Sequence, residues 1–128
     1  VGGRLCGSTF VVVHIVEDDE AVADALAIAL EDLDHHPITY KDAESFFAGG
    51  IPSSDDWVIV DIGLPDRCGT DVVRELMGLP TPPSILAISG KSRVNLLQQI
   101  RELPGLKILR KPLSIDMLTA AMAQKAIV

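Results

Sequence analysis

The sequence predicts an α/β domain: a parallel β-sheet covered by helices on both faces. Three observations carry this. The runs "FVVVHIV" at 10–16 and "DWVIVDI" at 56–62 are apolar and β-branched with almost no alternation, the pattern of strands buried on both faces. Between the strand-like runs, apolar residues recur at helical spacing. The two kinds of segment alternate five times in 128 residues with no internal repeat, which implies parallel strands joined by right-handed helical crossovers. This length suits one domain, and a hydrophobic content of 48% is too high for a disordered chain. We expect a flexible tail over 1–9 and the folded domain over 10–128.

The elements follow in order. The first strand is 10–16. Residues 20–33 place Val22, Leu26, Ala29, Leu30 and Leu33 on one helical face, with Asp19 and Glu20 at the helix start, where negative charge is favourable. "PITY" at 37–40 is a short strand. Asp42 caps a short helix carrying Phe46 and Phe47, which Gly49-Gly50 ends. The strand at 56–62 follows. Val72, Val73, Leu76 and Met77 mark the third helix, closed by Gly78 and Pro80. "SILAIS" at 84–89 is the fourth strand. Val94, Leu97 and Ile100 mark a fourth helix, stopped by Pro104-Gly105, and "LKILR" at 106–110 is the fifth strand. Ser114 caps a last helix with Ile115, Leu118, Ala121 and Met122 facing inward.

Composition narrows the function. A net charge of −7 and a pI near 4.7 argue against direct nucleic-acid contact by this domain. The charge is uneven: residues 1–66 hold 2 basic and 14 acidic side chains, residues 67–128 hold 9 and 4. That asymmetry points to a cation bound in the acidic half or a partner on the basic half, unless both halves are merely solvated. No apolar run approaches the roughly 18 residues of a membrane span, and none has the form of a signal peptide. Cys6 and Cys68 lie far apart without a C-x-x-C spacing, which fits a reduced, cytoplasmic setting. His14, mid-strand, reads as a satisfied core histidine, and His35-His36 as solvated loop.

In open parallel sheets, ligands bind beyond the carboxyl ends of the strands. Those ends carry Glu17 and Asp18, then Asp61, then Ser89-Gly90, then Lys111-Pro112. If the first, third, fourth and fifth strands lie side by side, three carboxylates, a hydroxyl and an ammonium converge on one crevice. Crowded carboxylates disfavour one another's ionisation unless a cation sits among them. Oxygen ligands with no His or Cys nearby favour a hard ion such as Mg²⁺. Asp61 is then a plausible nucleophile toward phosphorus, with Lys111 balancing phosphoryl charge and Ser89 donating a hydrogen bond to it.

The segments "VEDDE", "VDIGLPDRCG", "AISG" and "RKP" resemble, in this order, the four signature segments of bacterial response-regulator receiver domains. The resemblance covers about 10–125, and the spacing is similar to receivers of transcription factors with a helix-turn-helix output. It implies a flavodoxin-like sheet of strand order 2-1-3-4-5, phosphorylation by a histidine kinase, and only autophosphotransfer and slow hydrolysis as chemistry of its own. It implies Asp18 as a direct Mg²⁺ ligand, Glu17 acting mainly through water, Asp61 as phosphoacceptor and ligand, and Gly63 as a backbone carbonyl ligand. It also implies Ser89 as the switch hydroxyl and Lys111 as the phosphoryl-binding cation, with a cis bond to Pro112. Output, or a homodimer, would use the fourth helix, fifth strand and fifth helix, where Lys91, Arg93, Arg101, Lys107 and Arg110 lie.

Two other classes compete. A phosphatase of the haloacid dehalogenase type needs an acid two residues after its nucleophile, and Gly63 cannot move a proton. A pseudo-receiver, an interaction module without phosphorylation, would have lost Asp61, Asp18 or Lys111, and all three are present. One departure remains: the family usually has an aromatic residue where this chain has Ile108. We expect the switch to run through the loop at 90–93, with Ile108 nearly passive.

Overall fold

The computed structural model describes residues 11–50, 52–64, 69–90, 107–110 and 114–123. The described elements are β1 (Val12–Val16), α1 (Glu20–Asp32), β2 (His36–Tyr40), α2 (Ala43–Ala48), β3 (Trp57–Asp61), α3 (Gly69–Met77), β4 (Ser84–Ser89), β5 (Lys107–Arg110) and α4 (Ile115–Ala123). The fourth helix expected from Val94, Leu97 and Ile100 lies outside the described residues, as does the tail at 1–9.

The five strands form one parallel sheet of order β2-β1-β3-β4-β5. β3 is buried at all five of its positions, which explains the apolar run Trp57–Val60 that leads to Asp61. Two cores flank the sheet. Val13, Ile15, Trp57, Ile59, Leu86 and Ile88 pack under α1 and α4, through Leu26, Leu30 and Leu118 among others. On the opposite face Val16, Val58 and Val60 pack against Phe46 of α2 and Val72, Val73 and Leu76 of α3. The period-two alternation of strand side chains distributes β1, β3 and β4 between the two cores.

Caps set the helix limits. Asp19 Oδ1 accepts from the N–H groups of Ala21 (3.0 Å) and Val22 (3.3 Å). Asp42 Oδ1 accepts from Ser45 N–H at 2.8 Å, and Ser114 Oγ from Met117 N–H at 3.2 Å. At the end of α1 the chain turns through Asp34, whose φ of 65° is left-handed, and His35 N–H then reaches the Leu30 carbonyl at 2.9 Å.

Some expectations are corrected. Met77 is 47% exposed, because it ends α3 at the edge of the stripe formed by Gly69, Val72, Val73 and Leu76. Ala23, absent from the predicted stripe, is buried, whereas Val22 and Leu33 are only half-buried. His36 is not loop: it opens β2, with its N–H donated to the Val11 carbonyl at 2.9 Å. Pro37, which cannot donate to a ladder, is accommodated because β2 is an edge strand.

Candidate phosphoacceptor and metal site

The strand order brings three of the predicted residues together. β1 and β3 are neighbours, so Glu17 and Asp18, just past the end of β1, stand beside Asp61, the last residue of β3. Carboxylate oxygens of these three residues lie within 4.8 Å of one another. Glu17 and Asp61 are buried, at 2% and 5% exposure, and Asp18 is exposed.

Backbone contacts hold these side chains. Glu17 N–H donates to the Tyr40 carbonyl at 2.9 Å, extending the β1–β2 pairing by one residue. Glu17 Oε2 accepts from Asp19 N–H at 3.3 Å. Asp61 Oδ1 accepts from Gly63 N–H at 3.0 Å, an Asx-type turn that folds the chain back over the strand end. Gly63 is itself exposed beside the cluster. Asp19 is turned away into its capping role, so the four-acid run divides into a cluster pair and a helix start.

Ser89 ends β4 and is fully buried at 0% exposure. It lies one residue past Ile88, the register partner of Asp61. Arg110, immediately before Lys111, pairs with Ser89. Lys111, its bond to Pro112, the loop at 91–93 and Cys68 lie outside the described residues.

Gly69, the last residue of "VDIGLPDRCG", has a role that its sequence context does not reveal. A Cβ at this position would stand 2.3 Å from the Asp61 carbonyl oxygen and 2.6 Å from Ile62 Cα. No side chain fits there, so α3 begins directly against the end of β3, and Gly69 N–H donates to the Ile62 carbonyl at 2.9 Å. Its signal in the sequence was a glycine at a helix start, where none was needed for a cap.

The donor set is all oxygen, anionic and clustered, which fits a hard divalent cation. Glu17, Asp18 and Asp61 are the only such cluster of potential ligands among the described residues.

His14 is half-buried on β1 and tied at both ring nitrogens: Nδ1 to the Tyr40 hydroxyl at 3.0 Å and Nε2 to Asp56 Oδ2 at 2.9 Å. It is therefore a satisfied core histidine. Burial, and secondarily the charge of Asp56, raises the Tyr40 phenol above its ordinary value.

Comparison with known proteins agrees with this arrangement. Residues 13–123 match the response regulator receiver domain. The chain is 26% identical over 110 residues to the transcriptional regulatory protein FixJ of Azorhizobium caulinodans, covering 86% of this chain and 52% of that protein. It is 30% identical over 108 residues to the transcriptional regulatory protein KdpE of Staphylococcus aureus, covering 83% and 46%. The chain thus spans about half the length of these curated relatives. A CheY-like response regulator receiver domain from Methylobacillus flagellatus superposes with a TM-score of 0.77 at 25% identity, covering 91% of this chain and 98% of that one. With the 2-1-3-4-5 parallel sheet, the acid cluster at its strand ends and a family match over most of its length, the chain belongs to the response regulator receiver domains of two-component systems.

Proposed function

We propose that this receiver domain takes a phosphoryl group on Asp61 from a histidine kinase, with Mg²⁺ held by Asp18, Asp61 and the Gly63 carbonyl and with Glu17 acting through water. The observation that carries the reading is the meeting of three carboxylates within 4.8 Å at the ends of two adjacent strands. Such crowding is unfavourable without a counter-charge and is useful with one. When bound, Mg²⁺ supplies positive charge that offsets repulsion between the carboxylates and an incoming phosphoryl group.

The Asp61 carboxylate oxygen attacks phosphorus, an O–P bond forms, and the P–N bond of the phosphohistidine donor breaks, its electron pair staying on the imidazole. Gly63 N–H and the buried strand end hold the carboxylate in place for attack. Lys111 balances the charge of the transferred group, and Ser89, fully buried one strand away, moves its hydroxyl to donate to it. The product carries roughly −1.5 to −2 charge, and this drives the switch. Regulation of transcription as the output is supported by the FixJ and KdpE relatives, both transcriptional regulatory proteins. A cytoplasmic setting is supported by the match to the response regulator receiver domain; no helix among the described residues is long and apolar enough to cross a membrane.

The test is incubation with acetyl phosphate and Mg²⁺ followed by intact mass. We expect one phosphoryl group on the wild-type chain and none on Asp61→Asn. Modification that persists in Asp61→Asn would place the site elsewhere.

A further inference from the structure

Ile62, between the two proposed metal ligands Asp61 and Gly63, is held through its backbone and its side chain. It is 1% exposed. Its N–H donates to the Ile88 carbonyl at 3.0 Å, and its own carbonyl accepts from Gly69 N–H at 2.9 Å. Gly69 closes over its Cα with no room for a Cβ. Its side chain joins neither main core. It packs instead with Ala87 in a separate small cluster, and the half-buried Ile108 packs against that cluster. Ala87 and Ile108 are register partners on β4 and β5. By the period of two, the Ile62 side chain points away from the face that carries Asp61. The backbone at 61–63 is thus a pivot, with the acid cluster on one side and an apolar contact reaching two strands across on the other.

We propose that Ile62 and Ile108 are positioning residues for the Asp61 site: the volume they fill with Ala87 sets where the Asp61 carboxylate and the Gly63 backbone stand. The inference rests on the reading of Asp61 as metal ligand and phosphoacceptor. Close-packed interiors transmit displacement rather than absorb it. Gly69 and the Ile88 carbonyl block retreat of the Ile62 backbone in two directions, so a change in side-chain volume is passed along the chain to its neighbours. A reacting group is sensitive to shifts well below 1 Å. Ile108 thereby has a part that its β-branched side chain alone did not suggest.

The experiment compares the full chain with Ile62→Val, Ile108→Val, their double variant and Ile59→Val. Each single change removes one methylene, which a packed strand tolerates. Ile59 is buried at 0% exposure in the α1–α4 core, on the same strand. Mg²⁺ affinity is read by calorimetry, the rate of modification by acetyl phosphate by intact mass, and stability by thermal melting. We expect Ile62→Val and Ile108→Val each to weaken Mg²⁺ binding or slow modification by roughly threefold or more, with a double variant that departs from the product of the two. Ile59→Val should lower the melting temperature comparably and leave both readouts in place. Unchanged readouts in the single variants, independent effects in the double, or an equal effect in Ile59→Val would overturn the proposal. A wild-type chain that neither binds Mg²⁺ nor takes phosphate removes the phosphoacceptor reading and this one with it, a pattern distinct from the others.

Discussion

Asp18 is the exposed member of a cluster whose other two members are buried, so it is the one whose removal should disturb packing least. We predict that Asp18→Ala weakens Mg²⁺ binding by about tenfold or more, the scale on which a metal site responds to loss of even an outer-shell partner. Calorimetry is the right probe, since Trp57 is buried four residues from Asp61. Equal affinity in the variant would remove Asp18 from the ligand set. His14 provides a contrasting case. Tyr40→Phe deletes the hydroxyl facing His14 Nδ1 and leaves that half-buried nitrogen without its partner, so it should cost about 1 kcal/mol in a denaturant titration. His35 supplies the pH dependence. Burial holds its imidazole below the ordinary 6.5, a shift the nearby Asp34 charge partly opposes. The unfolded chain therefore binds a proton there before the folded one does, so stability falls as pH drops through 6.5 toward the lowered folded value. His35→Gln should flatten the part of the stability curve that lies below pH 6.5. A curve unchanged by the substitution would assign the acid-side loss to other groups.

At the level of elements, the ends of α1 are unequal. Its start is capped well by Asp19, whereas its end passes through Asp34 at φ 65°, with no basic residue in the last turn. An aspartate there pays for the left-handed backbone and places negative charge at the negative end of the helix dipole. Asp34→Gly should stabilise the chain by roughly 0.5–1 kcal/mol, and Asp19→Ala should destabilise it by about 1 kcal/mol. Urea midpoints measure both, and a neutral Asp34→Gly would show that another contact offsets the strain. α3 differs in kind. Its first residue is fixed by close approach, since Gly69 lies against the Asp61–Ile62 peptide, so the element that follows the site also shapes it.

For the molecule as a whole, the acid cluster couples stability to its counter-ion. Unit charges 4.8 Å apart repel by about 1 kcal/mol even at the dielectric of water. Asp61→Asn should therefore raise the melting temperature in the absence of Mg²⁺ and reverse rank with wild type in its presence. Ligand at 100 times its dissociation constant stabilises the folded state by about 2.7 kcal/mol, a shift on the order of 10 °C for a chain of this size. A melting temperature indifferent to Mg²⁺ in the wild-type chain would contradict the metal site.

What the sequence determined by itself was local. The alternation of buried runs with helical stripes set the fold class, because the periods 2 and 3.6 are written in neighbouring residues. The capping roles of Asp19, Asp42 and Ser114 were readable for the same reason, as was the placing of Glu17, Asp18, Asp61 and Ser89 at strand ends. Order 2-1-3-4-5 came from the resemblance of four short segments to a known family rather than from periodicity. Only the tertiary structure decided which distant residues meet. The tie of His14 to Tyr40 and Asp56 joins positions 26 and 42 apart, and the small cluster of Ile62 and Ala87 with Ile108 packed against it spans β3, β4 and β5. The exclusion of any side chain at Gly69 depends on how closely α3 approaches β3. Contacts of this kind have no period and no local composition. They arise from the close packing of elements whose pairing is settled by the whole sheet, so they become visible only when the sheet is assembled.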